Sequence, residues 1–156
     1  HPTTRDCIRA MAYLGESTRW NRVLDLGTGT GILALIAAYL GAKEVLALDV
    51  NPLSIKTARR NVQLNHLEDT ISVIEGRAED FIDETADLIL ANLHYEVIAR
   101  LIDSKGFHAK TWSILSGIMR SQVRELRPTL ERSSLEIIKE WDHGAIWYTL
   151  LLRSKV

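Results

Sequence analysis

Arg22-Val23-Leu24-Asp25-Leu26-Gly27-Thr28-Gly29-Thr30-Gly31 is the stretch around which the rest of the chain is arranged. The short apolar run Val23 to Leu26 stops at three glycines spaced two apart, and a long apolar pattern of helical character follows from Ile32. That order predicts a strand, a tight loop and a helix. Glycine lets backbone turn at positive φ and lets a ligand approach the main chain closely, so the loop is suited to holding something small.

The dinucleotide fingerprint Gly-x-Gly-x-x-Gly fits this loop poorly, because the third glycine comes one residue early and Ile32 takes the last position. Asp25 is a second objection. A carboxylate two residues before the first glycine, near the C-terminal edge of a strand, repels a pyrophosphate and attracts an ammonium. The expected ligand carries a positive charge there, a requirement that S-adenosylmethionine (SAM) meets with its amino-acid end and its sulfonium. Further on, Val45 to Leu48 is a second apolar run, ending in Asp49. That is where a nucleotide-binding βαβ unit places an acid to accept hydrogen bonds from a ribose. Asp49 is expected to take both ribose hydroxyls or, alternatively, to N-cap the helix that opens near Pro52. Val50, Asn51 and Leu53 are expected beside the adenine.

A chain of 156 residues suits one domain, 1–156, with a sizeable core. Apolar content of 46% and charged content of 25% are ordinary for a globular protein, and a net charge of −1 gives no global reason to seek nucleic acid. The single cysteine, Cys7, excludes an intramolecular disulfide and fits a reducing cytosol, so a cytoplasmic protein is expected. The apolar stretch Ile32 to Ala42 is too short to span a bilayer, and no basic-then-apolar signal opens the chain, so no membrane is expected. His66, His108 and His143 lie far apart without ligand spacing, and no metal is predicted. Position 1 is histidine, so a cut or trimmed form of a longer protein is expected.

Taken in order, Ile8, Met11, Ala12 and Leu14 predict a first helix ending near Gly15, with Thr3 or Thr4 as its N-cap. Strands are expected at 23–26, 44–48, 71–74, 86–91 and 112–115, the last closed by Ser116-Gly117. Helices are expected over about 30–40, where the apolar pattern runs nearly all round and predicts burial on both sides, then over 52–65 and 95–102. A further helix is expected over 118–130, interrupted near Pro128. Loops are expected at Gly76 to Asp80 and Ser104 to Lys110. The end, Leu135 to Trp141, Asp142-His143-Gly144 and Ile146 to Leu152, predicts two strands joined by a tight turn. Five strand–helix alternations followed by a hairpin predict an α/β, Rossmann-like doubly wound, mostly parallel seven-stranded sheet. A C-terminal antiparallel hairpin completes it, and helices cover both faces. Right-handed crossovers gather Gly27 to Gly31, Asp49, Ala78-Glu79 and Asn92 at one sheet edge.

On these residues the chain resembles the class I SAM-dependent methyltransferases over nearly its whole length. His1-Pro2-Thr3-Thr4, Asp25-Leu26-Gly27-Thr28-Gly29-Thr30-Gly31-Ile32-Leu33-Ala34, Ala91-Asn92-Leu93 and Leu115-Ser116-Gly117-Ile118 are similar, more narrowly, to the catalytic domain of the PrmA-like enzymes. Those enzymes methylate lysines and the N-terminal amine of a large-subunit ribosomal protein. The resemblance implies a protein substrate, ribosomal in kind, with RNA or a small molecule as the runner-up and a non-catalytic SAM-binding scaffold as the alternative of a different class. The family's N-terminal substrate-recognition domain and its glycine-rich lead into His-Pro-Thr-Thr have no counterpart in this sequence. Asn92-Leu93-His94-Tyr95 keeps the asparagine and aromatic ends of the Asn-Pro-Pro-Tyr motif of amino-methylating enzymes but neither proline.

Gly27, Thr28, Gly29 and Gly31 are expected to admit the methionine part and ribose, and Asp25 to hold the ammonium or make a local loop hydrogen bond. The resemblance implies that Thr3 and Thr4 close over the methionine carboxylate. Ala78 and Glu79 are expected at the adenine, with Glu79 alternatively a solvated helix-start acid. Asn92 is expected to contact the cofactor and to carry the transfer step or, alternatively, merely to end its strand. A lysine amine must lose its proton before it has a lone pair to react, and the Asn92 side chain and Leu93 backbone carbonyls are suited to orient the neutral amine. Tyr95 is expected to cover the substrate nitrogen, and His94 to accept a proton or to be an ordinary surface residue. Trp141, Trp147 and Tyr148 read as core, with a substrate platform as the alternative.

Overall fold

The computed structural model describes residues 1–155. Its first half alternates α1 (Pro2–Gly15), β1 (Arg22–Leu26), α2 (Ile32–Tyr39), β2 (Glu44–Asp49), α3 (Pro52–Leu64) and β3 (Ile71–Glu75). Then follow α4 (Ala78–Phe81), β4 (Leu88–Asn92), α5 (Tyr95–Ile102), α6 (Lys105–His108), β5 (Trp112–Met119), α7 (Arg120–Glu131), β6 (Leu135–His143) and β7 (Trp147–Ser154). The strands form one seven-stranded sheet in the order β3-β2-β1-β4-β5-β7-β6. The first five are parallel, with Val23 beside both Val45 and Leu88.

The apolar runs of β1, β2 and β4 are continuous because both faces of the sheet are covered. Val23, Val45, Ala47, Leu88 and Leu90 point to one core with Cys7, Met11 and Leu14 of α1, Leu33 and Ala34 of α2, and Ile55 and Ala58 of α3. Leu24, Leu26, Leu48, Ile89 and Ala91 point to the other, with Ile98 and Leu101 of α5, Phe107 of α6, and Val123 and Leu126 of α7. The sheet is doubly wound, as the alternation of elements predicts.

The terminal hairpin is present, and its second strand lies inside. β7 pairs antiparallel with β5 on one side and with β6 on the other. Leu150, Leu151 and Leu152 are fully buried in succession and require neighbours on both sides, whereas Glu136, Lys139 and Glu140 of β6 are exposed, as suits an edge.

Several boundaries differ from the sequence expectation. β5 does not stop at Ser116-Gly117: it bulges there, with Gly117 at φ 77, and continues to Met119 opposite Trp147. Helix α7 therefore starts at Arg120 and runs through Pro128 without interruption, its last turn held by the buried Leu126 and Leu130. The two expected loops each contain a four-residue helix, too short to show a period in sequence. His1, not Thr3 or Thr4, caps α1. Helix α2 leaves Ile32, Tyr39 and Leu40 exposed and is not sandwiched. Among the described residues no helix is long and apolar enough to cross a membrane.

Candidate active site

The site is built on the loop after β1. The N–H groups of Gly27 and Thr28 both donate to Leu48 O, at 2.8 and 2.7 Å, which ties the loop to the end of β2. Gly27 is at φ 76, and a Cβ there would run into the Leu93 side chain. Gly31, at φ 86, starts α2, and a Cβ would stand 3.2 Å from that of Ala58. Its bare backbone serves the close packing of α2 on α3.

A cavity of about 770 Å³ opens at this sheet edge, within the size range of small-molecule sites. One end is walled by Asp49, Val50, Gly76, Arg77, Ala78 and Glu79, from the segments after β2 and β3. The other end is walled by His1, Thr3, Asn92, Leu93, Gly117 and Trp147, and Gly27 lies between. His94, Val97 and Arg100 form a stripe spaced three apart on the α5 side.

At the first end, Asp49 Oδ2 accepts from the Gly29 N–H and Oδ1 from the Asn51 N–H, both at 2.9 Å. Each oxygen keeps a lone pair for a further donor. Asn51 is the N-cap of α3, its Oδ1 accepting from Leu53 N–H at 2.9 Å, so the capping left open for Asp49 falls to Asn51. Neither Asn51 nor Leu53 lines the cavity, and Leu53 is 69% exposed. Glu79 Oε2 pairs with Arg77 at 2.9 Å and Arg100 at 3.6 Å, bracing α4 against α5. The Arg77 hydrogen bond holds the Glu79 carboxyl below its usual range.

Asp25 lies beneath the loop, 1% exposed, with the Thr28 hydroxyl donating to Oδ2 at 2.6 Å. Its Oδ1 completes no hydrogen bond. Burial pushes its carboxyl up to about 6, against the opposing pull of the Thr28 hydroxyl. Asp25, Thr28, Gly29 and Gly31 are thus supports of the wall and not part of its lining.

At the second end, Asn92 closes β4 in register with Ser116 of β5. Its Nδ2 donates to Thr3 Oγ1 at 3.3 Å, and its Oδ1 lies toward Gly117, where a Cβ would be 2.9 Å away. The Ser116 hydroxyl, 2.5 Å from Thr149 Oγ1, donates to Thr3 O at 3.3 Å and anchors α1 to the sheet. Thr4 is not on the cavity wall. Nor is Tyr95: the first turn of α5 directs it to the core face shared with Ile98 and Ile102, where burial raises its pKa. Burial also pushes the Cys7 thiol up to about 12, which keeps it protonated and unreactive.

Arg100 is a wall residue that sequence reasoning did not single out. For Trp147 the sequence favours core over a substrate platform, yet the first residue of a strand antiparallel to β5 must fall at the edge where β5 ends. The spacing of His94, Val97 and Arg100 was the signal for the α5 stripe. Among the described residues no group of three or more His, Cys, Asp or Glu side chains is placed to hold a metal.

A mostly parallel sheet of this strand order, with β7 antiparallel between β5 and β6, an acid at the end of β2 and a cavity across the ends of β1 to β5, defines the class I methyltransferase fold. The profile of the ribosomal protein L11 methyltransferases (PrmA) matches residues 1–155, and the chain belongs to that family. Enzymes of this kind use SAM. A ribosomal protein L11 methyltransferase of Anoxybacillus flavithermus is 39% identical over 139 residues, covering 88% of this chain and 44% of the relative. One of Clostridium perfringens is 36% identical over 150 residues, covering 91% and 47%. The chain thus spans somewhat less than half the length of these relatives. The crystal structure of a ribosomal protein L11 methylase from Lactobacillus delbrueckii subsp. bulgaricus superposes with a TM-score of 0.84 at 30% identity, over 100% of this chain and 80% of that one. A human methyltransferase 10 domain containing protein shares the fold at a TM-score of 0.77 and 20% identity, over 99% and 83%.

Proposed function

We propose that this chain is the catalytic domain of a SAM-dependent methyltransferase that methylates an amine nitrogen on a protein, with ribosomal protein L11 as the substrate its relatives' names indicate. The observation that carries the reading is the pairing of Asp49 with Asn92 across one cavity. Asp49 offers two spare carboxylate lone pairs at one end, and Asn92 Oδ1 stands beside the Leu93 carbonyl at the other.

The residues present fit the cofactor. Asp49 is arranged to accept two ribose hydroxyls, Val50 and Ala78 offer apolar walls to the adenine, and Gly27 presents bare backbone. When bound, SAM supplies an electrophilic methyl group on a sulfonium. The chain's own work is alignment and exclusion of water. The Asn92 Oδ1 and Leu93 carbonyl accept the two N–H groups of a neutral amine and leave its lone pair free to point at the methyl. Leu93 and Trp147 provide the apolar surface that shields that end. The amine must arrive deprotonated, and His94, exposed at the mouth, is placed to take the proton.

The test is a pair of variants. Asp49→Ala is expected to weaken SAM binding at least about tenfold by calorimetry, as loss of two hydrogen bonds to a buried partner predicts. Asn92→Ala is expected to leave SAM affinity within about twofold and to lower methylation of purified L11 by about 100-fold. Asp49→Ala with parental affinity, or Asn92→Ala with parental turnover, would sink the reading.

A further inference from the structure

At the acceptor end of the cavity, a run of hydrogen bonds has a defined direction. The Thr3 backbone N–H, which can only donate, is 3.3 Å from His1 Nδ1, so that nitrogen carries a lone pair and the ring proton is on Nε2. The Thr3 hydroxyl is 2.9 Å from the same nitrogen and must give its proton to it. Only lone pairs then remain on Thr3 Oγ1, and one accepts the Asn92 Nδ2–H at 3.3 Å. The carboxamide is thereby held with Oδ1 on the opposite side, toward the room that Gly117 leaves.

The frame around this run is rigid. Thr3 is 3% exposed and its carbonyl accepts from Ser116. The His1 ring packs edge-on against Trp147, centroids 5.6 Å apart. A threonine without the histidine would lack this polarity, because a free hydroxyl can as well donate to Oδ1 as accept from Nδ2. Turned through half a circle, Asn92 would present N–H donors to the acceptor pocket. A donor facing an amine nitrogen ties up the lone pair on which the displacement depends, whereas a carbonyl oxygen takes the amine's N–H and leaves that lone pair free.

We propose that Thr3, oriented by His1, is a positioning residue that keeps Asn92 an acceptor and so selects neutral amines bearing N–H groups over nucleophiles without them, such as carboxylates. The inference rests on the amine-methylation reading above and adds the group that sets the polarity of its central contact.

The experiment compares Thr3→Val, which keeps the branched shape and removes the hydroxyl, with Thr3→Ser, which restores it, both in the whole chain. Three quantities are read: the Asn92 side-chain amide resonances by ¹⁵N NMR, SAM affinity by calorimetry, and kcat and KM for purified L11 with labelled SAM. Thr3→Val is expected to shift the Asn92 amide resonances and speed their exchange with water about tenfold, from the loss of one hydrogen bond. SAM affinity stays within about twofold, kcat falls about tenfold and KM is little changed, while Thr3→Ser recovers most of each loss. Unchanged Asn92 resonances in Thr3→Val would overturn the proposal, as would a fall in SAM affinity large enough to account for the fall in rate. Neither the resonances nor the calorimetry needs turnover. A parent chain that methylates no amine therefore counts against the proposed function, while the resonances still decide whether Thr3 sets the polarity of Asn92.

Discussion

Asp25 shows how a single carboxyl couples the loop to pH. Its folded pKa of about 6 lies above the ordinary value because burial disfavours the charged form. Between about pH 4 and pH 6 the folded state therefore binds more protons than the unfolded one, and stability contributed at this position is lost as pH rises through that window. Asp25→Asn removes the titration and keeps a partner for the Thr28 hydroxyl. The stability of the parent relative to Asp25→Asn is expected to drop by on the order of 3 kcal/mol between about pH 4 and pH 7 in urea unfolding. A difference that does not change with pH would contradict the assignment. At this scale the sequence was informative about residue types and less so about contacts. Asp49 and Asn92 were legible because a strand end followed by a helix start places a polar residue at the sheet edge. For Asp25 two readings stayed open, because one carboxylate beside three glycines suits a wall or a foundation equally well, and the bond from the Thr28 hydroxyl is the loop hydrogen bond of the second.

The bulge in β5 is the element on which the acceptor end depends. With Gly117 at φ 77 and Asn92 Oδ1 only 2.9 Å from where a Cβ would stand, Gly117→Ala is strained and also displaces the carboxamide. A loss of about 1–2 kcal/mol in unfolding free energy by urea titration is expected, with a fall in methyl transfer larger than stability alone explains. Parental turnover in that variant would show that the bulge does not shape the site. Ser116-Gly117 read as a strand end because serine and glycine are turn residues, but the pairing of Ile118 and Met119 with β7 overrides that local preference. Tyr95 stands apart from the cavity wall for a related reason. Its place beside Asn92 in sequence suggests the cavity, yet the helical period started at that residue turns it inward. The runs of β1, β2 and β4 were easy to recognise because double-sided burial leaves no polar position to blur them.

For the molecule as a whole, the sheet supplies both ends of the cavity, and the relatives are roughly twice as long as the matched stretch. We propose that substrate recognition resides in the part of those relatives with no counterpart in these 156 residues, as the family resemblance implied. Joining that part of the Anoxybacillus flavithermus relative to this chain is expected to lower KM for L11 at least about tenfold while leaving SAM affinity unchanged. Equal KM with and without it would place recognition in the catalytic domain. One further consequence comes from the strand order. β7 is the last strand in sequence but sits between β5 and β6, with Leu150 to Leu152 fully enclosed. During synthesis, β5 and β6 emerge from the ribosome with the gap between them unfilled, and the sheet cannot close until residue 154 is free of the exit tunnel. Until then the nascent chain exposes two unpaired strand edges around a missing centre, so the interval between the emergence of β6 and that of β7 leaves this domain most open to aggregation and to chaperone binding.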